Sequence, residues 1–312
     1  MDNRSEVREF LVSRRARISP EQAGVEPSGG RRRVPGLRRD EVARLAGLSV
    51  DYHTRVERGN LTGVSDSVLD AVARALDLDH AEREHLHDLA RTANLGSRPR
   101  APKPPAHSLR SATQHLLDSI TGAPAFVGNN RMDLVAANEL GFALYSEMFR
   151  TSVRPANHSR FIFLDPRARD LYPDWNRAAN VNVQILRRDA GRSPFDKELS
   201  DLVGELSVRS EEFRTLWGAH DVRRHYSGAK QFQHPVVGAL ELTYHVMELE
   251  DDPGHTLTVY TAAPGSPSED ALRLLSTWAA TEHIADIARD PRARQQVQEG
   301  AVATAESRRS PG

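Results

Sequence analysis

At 312 residues the chain is too long for one ordinary small domain and suits two. With 38% hydrophobic and 27% charged residues it fits a soluble globular protein with a usable core, and the absence of cysteine excludes disulfides and thiolate metal sites, in keeping with a reducing cytosol. A net charge of −1 gives no overall attraction for a polyanion, so any such affinity has to come from a local patch.

The first seventeen residues, MDNRSEVREFLVSRRAR, are charged throughout and carry no apolar core of signal-peptide length. No run approaches the roughly 18 apolar residues of a membrane span, so no membrane partner is expected and the location expected is cytoplasmic. Val7, Phe10 and Leu11 stand at i, i+3 and i+4 and predict a helix from about Arg4 to Arg17. Ile18–Pro35 holds Pro20, Pro27, Gly29, Gly30 and Pro35 and reads as a loop; its run Arg31–Arg33 is either a contact to phosphates or a solvated charged loop.

The stretch LRRDEVARLAGLSVDYHTRVERG, Leu37 to Gly59, predicts two short helices. Leu37, Val42, Leu45 and Ala46 form the apolar stripe of the first, Gly47 turns the chain and Leu48 plugs the corner. Ser49 caps the second helix, which carries His53 and Val56 inward and ends at Gly59. Two helices joined by a tight turn with Gly describe a helix-turn-helix. Val42-Ala43, Ala46-Gly47-Leu48-Ser49, Val56-Glu57 and Gly59 look like the Xre/Cro-type (lambda-repressor-like) DNA-binding domain, and the longer string from Arg31 is similar to its MmyB-like branch. His53 departs from the aromatic residue expected there. Charge supports the comparison: eight Arg face four acids between Arg31 and Arg58, whereas three Arg face seven acids between Gly59 and Gly96.

Ser65 caps a further helix with Val68, Leu69, Val72 and Leu76 inward, and Asp79–Asn94 predicts a fifth, carrying Leu86 and Leu89. His85 and His87, two apart, point away from each other on a helix, make a poor metal pair and read as surface residues. GSRPRAPKPPA is Pro-rich and basic, an extended linker over 96–107.

From Ser108 the pattern changes. Leu109, Leu116, Leu117 and Ile120 suggest a helix, followed by a strand at Ala125–Gly128, a turn at Asn129-Asn130, a strand at Asp133–Ala136 and a helix from Asn138. Residues 165–218 read as mostly helical. Three strands follow, His225–Gln233, Gly238–Leu249 and Thr256–Ala262, the last two joined by the turn Asp251–Gly254, and a helix from Ser268 to about Arg289 closes the domain. The segments WGAHDVRRHYSGAKQFQHPVVGALELTYHVMEL and HTLTVYTAAPGS resemble the ligand-binding domain of MmyB-like regulators. The resemblance implies a multidomain α and α+β protein: a five-helix lambda-repressor-like domain over 1–95 and a PAS-like sensor domain over 108–290. Residues 291–312 read as a flexible C-terminal tail. It further implies double-stranded DNA and a small apolar or fatty-acid-like effector as partners, with a homodimer and no cofactor.

Base edges are expected to meet Val50, Asp51, Tyr52 and Arg55, because the second helix of such a motif enters the major groove by its N-terminal end. Arg39, Ser49 and Thr54 suit phosphates. Phe126, Phe142, Tyr145, Phe161, Trp217 and Tyr244 are candidates to line a cavity, or else plain core, and His220 stands where a polar group at its mouth is wanted. His225, His234 and His245 lack ligand spacing with a supporting acid, so no metal site is expected. No Gly-x-Ser-x-Gly elbow, phosphate loop, dinucleotide fingerprint or HExxH occurs, and Tyr226 and Lys230 lie in a predicted strand and turn without a cofactor motif, so catalysis is not expected. The competing reading is a protein–protein adaptor whose helical domain docks a partner.

Overall fold

Val7, Phe10 and Leu11 are buried on one face of α1 (Asn3–Arg17), as their spacing requires. The computed structural model describes residues 3–25, 36–95, 111–150, 155–193, 196–219 and 227–289; the Arg31–Arg33 run, the 96–107 linker, His220, His225 and the 291–312 tail fall outside them. Around α1 pack α2 (Arg39–Leu45), α3 (Val50–Glu57), α4 (Asp66–Ala75) and α5 (His80–Leu95), enclosing Leu37, Val42, Val56, Leu61, Leu69, Val72, Leu86 and Leu89. Both α2 and α3 end in Schellman motifs. Gly47 (φ +68°) and Gly59 (φ +85°) hold the left-handed position, with Leu48 N–H donating to Ala43 O at 2.8 Å and Asn60 N–H to Arg55 O at 3.2 Å. Ser49 caps α3, its Oγ accepting from Tyr52 N at 3.2 Å. Leu45 corrects the expected stripe. It is 41% exposed, because Val42 and Ala43 face the core and Leu45 lies about 200° round the helix from Ala43.

The second domain begins with α6 (Ser111–Ser119), β1 (Ala125–Asn129), β2 (Leu134–Ala137) and α7 (Glu139–Leu144). Asn138 fixes this corner: its Oδ1 accepts from Gly141 N at 2.8 Å and its Nδ2 donates to Ala123 O at 2.8 Å. Then come α8 (Ser146–Phe149), α9 (His158–Leu164), α10 (Arg167–Leu171), α11 (Trp175–Arg192), α12 (Lys197–Arg209) and α13 (Glu211–Gly218). The chain returns as β3 (Ser227–His234), β4 (Gly238–Glu248) and β5 (His255–Thr261) and ends in α14 (Pro267–Arg289).

The five strands form one antiparallel sheet in the order β2-β1-β5-β4-β3. Register puts Phe126 opposite Thr258, Tyr244 opposite Tyr260 and Lys230 opposite Leu242, so Phe126, Tyr244, Tyr260, Lys230 and Phe232 share one face. The opposite face of β1 and β5 (Ala125, Val127, Leu257) is covered by Leu117 of α6, while Leu116 is exposed.

Candidate nucleic-acid interface and ligand cavity

Helix α3 buries one side and presents the other. His53, Val56 and Glu57 are buried; Val50 is 47% exposed, Ser49, Asp51 and Arg55 are exposed, and Tyr52 and Thr54 are half-buried, Tyr52 against the domain core. The Ser49 hydroxyl is engaged in capping. Arg39 has a structural tie as well: its Nε donates to Glu57 Oε1 at 2.5 Å, while Arg15 Nε donates to Glu57 Oε2 at 2.7 Å. Burial alone would raise the Glu57 carboxyl, but the hydrogen bonds from Arg15 and Arg39 outweigh it and hold the group below its ordinary value. One carboxylate thus joins α1, α2 and α3 and ties down the side chain of the exposed Arg39. Sequence reasoning used the position of Glu57 but not this role.

Between the sheet face and α11 lies a cavity of 1460 Å³. Of the seven candidates, Phe126 and Tyr244 line it. Tyr145 and Phe161 are buried in the adjoining core. Phe142 is 46% exposed and packs on Phe149 outside, since α7 turns its Leu140 and Leu144 inward. Trp217 stacks on Phe213 away from the cavity, and His220 lies outside the described residues.

Lys230 reaches the cavity from β3. Its Nζ donates to Tyr145 Oη at 3.3 Å and lies 4.6 Å from the Tyr172 ring centroid. Around it Tyr145 Oη pairs with Tyr260 Oη at 2.7 Å and His158 Nε2 with Tyr172 Oη at 2.7 Å. Burial lowers Lys230 to about 7, raises the three tyrosines well above their ordinary value, and, with Lys230, lowers His158. The inner end is therefore aromatic and, at neutral pH, carries little charge beyond the part of Lys230 that stays protonated, whereas Arg177, Glu248 and Asp251 stand exposed at its outer margin.

Helix α11 serves three surroundings. Ala178, Val181, Asn182 and Ile185 line the cavity; Val183, Leu186 and Ala190 pack on α12 and α13; Arg187 and Gly191 meet the N-terminal domain. Arg187 is fully buried, pairs with Glu6 of α1, donates to Trp217 O, and lies 4.0 Å over the Trp217 ring. Gly191 is where α11 and α5 approach closely: a Cβ there would stand 2.5 Å from His85 Cε1. Arg192, on the cavity wall, donates to Asp88 of α5 and to Glu248 of β4, each at 3.2 Å.

His85 thereby corrects the sequence reading, which placed it on the surface. It is 1% exposed and sits edge-on to Phe10 at 5.0 Å, with Nε2 3.9 Å from Glu6 Oε1. Burial lowers it from the ordinary 6.5, against the attraction of the nearby Glu6 carboxylate; Arg187 and Asp88 are its other charged neighbours. Because the folded value is depressed, the unfolded chain takes up the proton first and stability falls as pH drops below 6.5. Each such proton costs up to about 1.4 kcal/mol per pH unit. His53 is lowered by burial too, and His158 more so, so the melting temperature should fall steeply from pH 7 to pH 5 and His85→Gln should flatten that slope in part. An unchanged slope would show that His85 is hydrated.

Among the described residues no helix is long and apolar enough to cross a membrane, and no cluster of His, Cys, Asp and Glu could hold a metal ion. A family model described as the MmyB-like transcription regulator ligand binding domain matches residues 109–275, and one described as a helix-turn-helix domain matches residues 12–86. No curated protein matches the chain.

Proposed function

Because the chain belongs to the MmyB-like transcription regulators, we propose that it binds a specific operator with α3 and that a small molecule in the C-terminal cavity sets its affinity. A helix-turn-helix domain and a ligand-binding domain of this family support a DNA-binding transcription regulator. The observation that carries control by ligand is α11, which walls the cavity with one side and packs on α5 with another. A ligand shifts DNA binding only by its differential affinity for two arrangements of the domains, and α11 is where such a difference would be felt at both sites.

The sheet order β2-β1-β5-β4-β3 supports a PAS-like sensor, and the aromatic interior supports a ligand with an apolar body, such as a fatty-acid-like chain. A homodimer on two half-sites about one helical turn apart and a cytoplasmic location complete the proposal. The chain acts as a binder rather than an enzyme.

Arg55 is exposed in the last turn of α3 and presents a guanidinium fork that matches guanine O6 and N7. Arg55→Ala should remove about 1–3 kcal/mol of discrimination at one base pair while nonspecific binding persists. Titration of matched and mismatched duplexes at several salt concentrations measures both. Counterion release makes affinity for DNA fall by orders of magnitude between low and physiological salt. A salt-insensitive interaction would favour the protein–protein adaptor instead.

A further inference from the structure

Only three of the forty-two Lys and Arg residues are Lys: Lys103, Lys197 and Lys230. Among the described residues, the one that reaches the cavity is Lys230. Arginine serves every other described cavity-lining cation, including Arg177, Arg188 and Arg192. Arg binds anions at least as well as Lys but does not give up its proton, so the position that holds an amine is the one where a free lone pair has a use. Its surroundings agree. The amine lies among the faces of Tyr145, Tyr172 and Phe232, and the nearest hydrogen-bonding group is a phenol at 3.3 Å rather than a carboxylate.

We propose that Lys230 captures a carbonyl-bearing ligand, an aldehyde or ketone on an apolar body, as a reversible imine on Nζ, with Tyr145 moving the protons. The inference rests on the ligand-sensing reading above and adds its chemistry. The Nζ lone pair adds to the carbonyl carbon, the C=O π pair moves to oxygen, and that oxygen takes the Tyr145 phenol proton. The nitrogen returns a proton to the phenolate, giving a neutral carbinolamine. The nitrogen pair then expels hydroxide, which leaves as water with the phenol proton, and the iminium N–H restores the phenol. Amine and carbonyl become imine and water, with no oxidant or reductant. Burial keeps much of the amine unprotonated near neutral pH and keeps Tyr145 a phenol, the state each step requires. Hydrolysis reverses the bond when the ligand is scarce, as a sensor needs.

The test incubates the full chain with decanal and cyanoborohydride, followed by peptide mapping by mass spectrometry and a melting-temperature series with decanal, decanol and decanoate. The expected result is a decyl adduct on Lys230 formed at least about tenfold faster than on Lys197, whose side chain is 85% exposed. Tyr145→Phe should slow the Lys230 adduct by about a hundredfold without removing it. Lys230→Arg, checked for an intact melt, should abolish it. Labelling of Lys230 no faster than Lys197 overturns the imine. If decanol or decanoate still raises the melting temperature in that case, the cavity remains a ligand site and only the imine falls. If no probe stabilises the chain and Lys230 stays unlabelled, both readings fall together.

Discussion

Arg187→Met should lower stability by about 3–5 kcal/mol and uncouple DNA binding from the cavity. Arg187 has no exposed surface, and its partner Glu6 is 8% exposed. Removing the cation takes the buried guanidinium away from a Glu6 carboxylate that stays in the seam between the domains, and breaking one side of a buried pair is costly. The variant also loses the guanidinium 4.0 Å over Trp217, a contribution of about 0.5–2 kcal/mol. Urea denaturation followed by tryptophan fluorescence measures the loss. Pairing the change with Glu6→Leu separates the two origins: if the cost is the buried Glu6 charge, the double variant recovers most of it. If Arg187→Met melts like the parent, Glu6 has moved into solvent and the seam is held by apolar contact alone. The functional readout is independent of stability, since a protein whose α11 no longer grips α1 should bind operator equally well with and without ligand.

The helix-turn-helix was legible because its signals are local. Gly47, Ser49 and Gly59 are punctuation that backbone sterics and hydrogen bonding impose within a few residues, and the charge asymmetry can be counted directly. The strands and their order in the chain were legible for the same reason, through the alternation of Leu240, Leu242 and Tyr244 and the DDPG turn. The cavity wall was not. Periodicity says that Phe126, Phe161 and Phe142 are apolar, but whether each faces a void, a core or solvent depends on register across the sheet and on helices far away in sequence. Phe126 and Phe161 ended up buried and Phe142 exposed. Lys230, which the sequence places in a strand and turn with no cofactor motif, carries a different signal in the composition: lysine is scarce in this Arg-dominated chain. The seam was hidden for another reason. His85, Asp88 and Arg187 look like ordinary surface residues of amphipathic helices, and only the contacts of α11 with α1 and α5, far away in the sequence, show that the two charges pair, and the imidazole is buried, between the domains.

Gly59→Ala should cost more than Gly47→Ala by about 1–3 kcal/mol, although the two glycines close neighbouring helices in the same left-handed conformation. Each substitution carries the penalty of an L-residue at positive φ, about 1–2 kcal/mol. At Gly47 that is all, because a Cβ there meets nothing within 4 Å. At Gly59 the Cβ would lie 2.4 Å from Arg4 O and 2.6 Å from Arg4 Cα, both backbone atoms of α1, which cannot rotate aside. Either α1 lifts or α3 ends early, and both moves disturb the Glu57 carboxylate that Arg15 reaches from α1. Gly59→Ala should therefore lose operator binding along with much of the cooperative melt of the N-terminal domain, while Gly47→Ala keeps binding at a lower melting temperature. Equal melting temperatures for the two variants would mean that α1 yields freely at Arg4, and the close packing of α1 on the end of α3 would then contribute little to holding the DNA-facing helix in place.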